Sequence, residues 1–232
     1  MPHPLLKSVG DAGLYHRPRP LASPADWRLE VRQVRGGETR VLADLSLRDL
    51  EALAPRPLPL AIECVSAGRF THDGERVAFD GIPFAQLLAH AYGGEAVPED
   101  LRTVRFVSRA PATCGPKGER HWTSLALDVC CDEANGVALA VSLDGAPLPY
   151  LHGGPLRLVV GPRLFFYKAV KWLAAIELVT TPIDECRGTW EEYAGYSNLG
   201  WTGHERFEPR MRTIDRVVSE GDRAWDDSTA VP

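Results

Sequence analysis

Apolar and polar residues alternate along Trp27–Val34 (WRLEVRQV), the two-residue period of a strand with one buried face. At Ser46–Leu53 (SLRDLEAL) the period changes. Ser46 with Asp49 three residues on forms a variant capping box, and Leu47, Leu50 and Leu53 then share one helical face. Leu58–Val65 (LPLAIECV) is an apolar, strand-like run that ends in Cys64. Asp80-Gly81 predicts a turn, and Pro83 opens a predicted helix over Phe84–Tyr92. Val104–Ser108, Gly136–Leu143 and Leu156–Val160 predict further strands, and Asp144-Gly145 is a hairpin signal. Val170–Thr180 fits strand or helix by pattern, and its β-branched end favours a strand.

Nineteen prolines and twenty-one glycines leave little room for long helices. With no internal repeat or linker, the pattern predicts one α+β domain over residues 1–232, a single strand-rich mixed unit. From about residue 197 the chain is expected to run as an extended C-terminal segment. A net charge of −5 gives no footprint for nucleic acid. A bound anion therefore requires a local basic cluster. No apolar run reaches the roughly 18 residues of a transmembrane helix. The start, Met1-Pro2-His3-Pro4-Leu5-Leu6-Lys7, has no hydrophobic signal core and no twin arginine. The expectation is a cytoplasmic protein, or a periplasmic one if the start is truncated. Five cysteines is an odd number, and a reducing compartment leaves them as thiols.

Two stretches carry unusual chemistry. Glu63-Cys64-Val65-Ser66-Ala67-Gly68-Arg69 puts a thiol at the end of an apolar run, then small residues and a guanidinium. A thiolate suits a soft or high-valent metal, and a nearby cation favours the ligating form. The same residues also fit a buried cysteine acting as a small apolar group. In the second stretch, His152-Gly153-Gly154-Pro155-Leu156-Arg157 is followed by Lys168-Ala169-Val170-Lys171-Trp172. Tandem glycines permit close backbone approach to a ligand. His152, Arg157 and Lys171 offer hydrogen bonds and charge to a phosphate or an anionic heterocycle. A tight turn with a solvated cationic face is the competing reading.

The order of these motifs adds a resemblance. The block Asp144-Gly145-Ala146-Pro147-Leu148-Pro149, then His152-Gly153-Gly154-Pro155-Leu156-Arg157-Leu158-Val159-Val160, then Val170-Lys171-Trp172-Leu173 resembles the molybdopterin-binding domain of the sulfite oxidase family. Gly81-Ile82-Pro83-Phe84-Ala85-Gln86-Leu87-Leu88 is similar to a helix of that family. Gly195-Tyr196-Ser197-Asn198 is similar to the tail of the periplasmic methionine sulfoxide reductase catalytic subunit.

The resemblance implies a sulfite oxidase-type fold and a molybdenum atom held by molybdopterin, a pyranopterin dithiolene. Cys64 is then the protein's metal ligand. Implied cofactor contacts are Tyr15, His16 and Arg17 near the start, then Ser108, His152, Arg157, Ala169, Val170 and Lys171. Arg69 and Tyr196 are implied beside Cys64 as catalytic residues, although each also fits a surface ion pair or a packed aromatic. The implied reaction is oxygen-atom transfer on a small sulfur substrate, sulfite or a sulfoxide, with electrons passing to a separate carrier. Val160-Gly161-Pro162-Arg163-Leu164-Phe165-Phe166-Tyr167 departs from the family's usual segment.

Two further readings stand beside this one. The first is a zinc protein using Cys114, His121, Cys130, Cys131 and Cys186, disfavoured because no C-x-x-C occurs. It leaves Cys130-Cys131 as a strand or turn pair of buried thiols. The second is a non-catalytic cofactor- or partner-binding protein that keeps the fold.

Overall fold

The computed structural model describes residues 21, 23–60, 63–64, 68–69, 77–112, 119–161 and 163–202. Its strands are β1 (Arg28–Arg35), β2 (Glu38–Ser46), β3 (Arg56–Leu60), β4 (Glu63–Cys64), β5 (Gly68–Arg69), β6 (Val77–Pro83), β7 (Thr103–Pro111), β8 (Arg120–Ala126), β9 (Ala138–Leu143), β10 (Ala146–Pro147), β11 (Arg157–Val159) and β12 (Leu173–Val179). The helices are short: α1 (Leu47–Ala52), α2 (Phe84–Ala91), α3 (Leu127–Cys131) and α4 (Thr189–Ala194).

One sheet has the order β2-β1-β12-β7-β8 and is mixed, because β1 and β12 run parallel while the other neighbours are antiparallel. The second sheet, β10-β9-β6-β3 with β11 on β9, is antiparallel. β4 and β5 form a separate two-stranded ribbon that pairs Cys64 with Gly68 and Glu63 with Arg69. Leu29, Val31, Phe106 and Ile176 of the first sheet pack with Ile82, Leu139 and Leu158 of the second in one apolar core. A smaller cluster of Leu60, Phe79, Ala138, Ala140, Leu143, Leu148 and Val159 covers the other face of the second sheet. That sheet is therefore buried on both sides, as its continuous apolar runs require.

Local chemistry explains the boundaries. Ser46 and Asp49 cap α1 reciprocally, the side chain of each meeting the other's backbone N–H. Asp144 and Gly145 both have positive φ, 53° and 74°, and join β9 to β10 as the hairpin signal predicts. Val170–Thr180 resolves into strand β12.

Several expectations are corrected. Asp80-Gly81 is not a turn; it lies inside β6 at a register shift against β9. A Cβ on Gly81 would come 2.4 Å from the Leu139 carbonyl oxygen, so glycine serves close strand approach there. Gly136 does not begin a strand. It ends a 3-10 turn at φ 60°, and β9 starts at Ala138. Cys130 and Cys131 sit in helix α3, with Cys130 buried and Cys131 half-buried. The segment expected to be extended from about residue 197 follows α4, and beyond residue 202 it lies outside the described residues.

Candidate cofactor cleft

The candidate site is built where one strap joins the two sheets. After the 3-10 turn Phe166–Lys168, residues 169–172 run beside β11 and then enter β12. Leu158 N–H donates to the Val170 carbonyl at 2.8 Å, and Leu173 N–H donates to the Leu156 carbonyl at 2.9 Å. Trp172 is fully buried with φ 53°, an uncommon conformation for a bulky residue. It is held by Trp172 N–H to the Gly153 carbonyl at 3.0 Å, its indole N–H to the Tyr150 carbonyl at 3.0 Å, and Arg109 N–H to its own carbonyl at 2.7 Å. Strain of this kind persists only where the surroundings over-determine it.

The strap gathers the sequence-predicted residues. Ser108 Oγ donates to the Lys171 carbonyl at 2.7 Å and accepts from Ala110 N–H at 2.9 Å. Lys171 Nζ donates to the Leu151 carbonyl at 3.3 Å, and the Arg157 guanidinium donates to the His152 carbonyl at 2.8 Å. His152 and Ser108 are fully buried and Arg157 is 2% exposed. By strand alternation Arg157 shares the Val159 face of β11, opposite Leu158. There its guanidinium lies 4.9 Å from the Phe166 ring centre and 5.7 Å from that of Phe79. Val170 is buried, and Ala169 and Lys171 are half-buried.

The tandem glycines serve the protein first. A Cβ on Gly153 would meet the Lys171 side chain at 2.6 Å, and one on Gly154 would meet the Leu148 carbonyl oxygen at 1.9 Å. Their bareness lets the His152 loop press against the strap, so that the Arg157 guanidinium and the Lys171 ammonium donate to neighbouring carbonyls of that loop, those of His152 and Leu151. This clustered, buried donor set inside an acidic chain has the chemistry an anionic, phosphate-bearing pterin requires, so the residues present fit the group.

β4 lies within backbone contact of the turn Phe166–Lys168. That places the chain around Cys64 beside the lead-in to the strap. The side chains of Cys64 and Arg69 lie outside the described residues, as do Tyr15, His16 and Arg17 entirely. Tyr196 is 5% exposed and sits in an aromatic cluster. Its ring centre is 4.7 Å from that of Tyr167 and 5.8 Å from that of Trp190.

Sequence reasoning passed over Lys168. Its ammonium is fully buried, pairs with the equally buried Glu191 carboxylate, and donates to the Ser124 carbonyl at 3.0 Å. Lys168 stood within the quoted motif, but nothing in the sequence pointed to a carboxylate 23 residues on. Among the described residues no group of three or more His, Cys, Asp and Glu side chains is placed to hold a metal. Burial raises the Cys130, Cys131 and Cys186 thiols above their usual range, which disfavours thiolate ligands there. Cys114 lies outside the described residues. A groove lined by Trp27, Arg28, Arg109 and Arg120 contains none of the predicted site residues. Among the described residues no helix is long and apolar enough to cross a membrane.

The family model described as "Oxidoreductase molybdopterin binding domain" matches residues 16–190. Mitochondrial sulfite oxidase of Macaca fascicularis is 27% identical over 203 residues, covering 80% of this chain and 35% of that protein. NADH nitrate reductase of Lotus japonicus is 28% identical over 186 residues, covering 75% of this chain and 20% of that protein. The chain thus spans about a third or less of the length of these relatives. Among solved structures, the sulfane dehydrogenase SoxCD from Paracoccus pantotrophus shares the fold. Its TM-score is 0.53 at 19% identity, with 71% of this chain and 41% of that chain covered. The match to more than half of the chain, on this strand-rich α+β fold, makes the protein a member of the molybdopterin-binding oxidoreductase domain family.

Proposed function

We propose that the chain is the catalytic domain of a molybdenum-cofactor oxidoreductase that transfers an oxygen atom to or from a small sulfur substrate, sulfite or a sulfoxide. The observation that carries this reading is the convergence of Ser108, His152, Arg157 and Lys171 on one strap, with the Cys64 strand beside the turn that opens it.

When bound, the molybdenum–pterin group supplies two-electron oxygen-atom transfer. Cys64 is the residue for the metal, its thiolate being a soft ligand. Arg157, caged between Phe79 and Phe166, and Lys171, braced on the Leu151 carbonyl, supply fixed positive charge for the pterin phosphate. His152 offers a buried imidazole on the same loop. Ser108 acts one step removed, by holding the Lys171 backbone in place. Tyr15, His16 and Arg17 complete the pterin contacts in this reading. Arg69 then favours an oxyanion substrate, and Tyr196 offers a hydroxyl near the reacting atoms. Electrons pass to a separate carrier. Residues 1–232 act as one domain, and the protein works in the cytoplasm, or in the periplasm if a leader precedes the sequence given.

The test is molybdenum and pterin analysis of protein made in a cofactor-competent host, followed by a redox-dye assay over sulfite, sulfoxides and N-oxides. About one molybdenum per chain with turnover of a sulfur substrate is expected. Protein without metal or pterin from such a host overturns the reading. Turnover confined to N-oxides overturns the substrate class alone.

A further inference from the structure

Lys168 and Glu191 form an ion pair in which both side chains are 0% exposed. One carboxylate oxygen, Oε1, accepts from the ammonium and from Thr123 Oγ at 2.8 Å. The ammonium has a second anchor on the Ser124 carbonyl, so two successive residues of β8 hold the pair. The other oxygen, Oε2, is buried with no hydrogen-bond partner among the described residues. It packs on Gly188, where a Cβ would lie 2.7 Å from it. On the lysine side, Gly200 at φ +71° lies so close that a Cβ would meet the lysine methylenes at 2.8 and 2.9 Å. The two glycines thus close the backbone over both halves of the pair.

Packing alone gives no reason for charges here. Two buried ions lose their hydration, and apolar residues of the same volume often hold a core as well or better. What the pair adds is direction, since charge-assisted hydrogen bonds fix the angle as well as the distance between segments. The segments it fixes all lead to the cleft. Lys168 ends the turn that continues as Ala169–Lys171 and that lies against the Cys64 strand. Glu191 sits in α4, whose C-cap Gly195 immediately precedes Tyr196. The segment after Tyr196 is tied back onto the same turn and its N-cap, by Tyr167 O–H to the Ser197 carbonyl at 2.6 Å and Phe165 N–H to the Gly200 carbonyl at 2.8 Å.

We infer that Glu191, through Lys168, is a positioning residue for the cofactor cleft: it locks together the strap, the Cys64 strand and the Tyr196 segment in the geometry that retains the pterin. This rests on the reading of the cleft as a molybdopterin site. The experiment compares wild type, Glu191→Gln, and the apolar pair Lys168→Met with Glu191→Leu, all from a cofactor-competent host. The control is Glu177→Gln. Glu177 is a largely buried carboxylate, its side chain 9% exposed, paired with the partly exposed Arg32 and Arg105. Molybdenum and pterin per chain, thermal midpoint and the pH dependence of the molybdenum(V) resonance are measured.

Outer partners that orient metal ligands typically change affinity by about 10–100-fold. Glu191→Gln is accordingly expected to weaken pterin retention by about tenfold or more and to move the resonance. Glu177→Gln lowers the midpoint and leaves retention unchanged. The apolar pair recovers the midpoint without recovering retention, and so separates positioning from packing even if Glu191→Gln folds poorly. An apolar pair that retains pterin and resonates as wild type does would overturn the inference and leave the proposed function standing. A wild type devoid of pterin would overturn both.

Discussion

One buried histidine should make this protein less stable in acid. His121 lies on β8 in a position facing the interior, 1% exposed, and burial pulls its pKa down from 6.5 to about 3. The folded state therefore binds fewer protons than the unfolded chain between these values. Its contribution to stability is complete above pH 6.5 and is lost as pH falls toward 3. pH 5 lies about 1.5 units below the ordinary histidine value of 6.5, and each unit is worth about 1.4 kcal/mol. The expected loss between pH 8 and pH 5 is about 2 kcal/mol from this one residue. Carboxylates contribute over the same range, so the assay is a difference. Urea unfolding of wild type and His121→Leu is followed at both pH values, with m constant as the check on two-state behaviour. The variant should lose about 2 kcal/mol less than wild type over that interval. Parallel losses would refute the reasoning, because His121 would then accept its proton in the folded state as readily as in the unfolded one.

Three other outcomes follow from the geometry. Ser108→Ala leaves the Lys171 carbonyl and the Ala110 N–H without their partner, and calorimetry should show a loss of about 1–3 kcal/mol. Gly81→Ala pushes a methyl against the Leu139 backbone, which cannot rotate away, and should cost about 1–3 kcal/mol in chemical denaturation. Ser46→Ala removes the α1 cap and should cost about 1 kcal/mol at neutral pH. Asp49 is held below its usual range by its bonds to Ser46, so this difference should shrink as acid protonates it, which a urea series at falling pH would detect.

Elements governed by local chemistry were legible in the sequence: the Ser46–Asp49 box, the Asp144-Gly145 hairpin and the alternation of β1. β8 was not, because its inward positions include His121 and Thr123, so polar residues stand where alternation expects apolar ones. The Thr123 hydroxyl donates to the Glu191 carboxylate 68 residues on, and no window of sequence contains that partner. β2 escaped for a different reason. It is an edge strand with only Leu45 buried, and the register shift against β1 leaves Leu42 as an extra residue, so Val41, Leu42 and Ala43 are consecutively apolar and break the two-residue period. The parallel pairing of β1 with β12 joins residues about 145 apart and leaves no local trace, as with Glu30 opposite Ala175. Motif order picked out Ser108, His152, Arg157 and Lys171, which the fold brings together at one strap. The Lys168–Glu191 pair is visible only in the folded chain, as is the close packing of Gly153 on Lys171 and of Gly154 on Leu148.

In the proposed site the sulfur of Cys64 is a ligand of molybdenum. X-ray absorption at the molybdenum edge, on loaded wild type and loaded Cys64→Ser, reads this bond. The variant should lose one sulfur neighbour from the metal; an unchanged sulfur shell would rule the bond out.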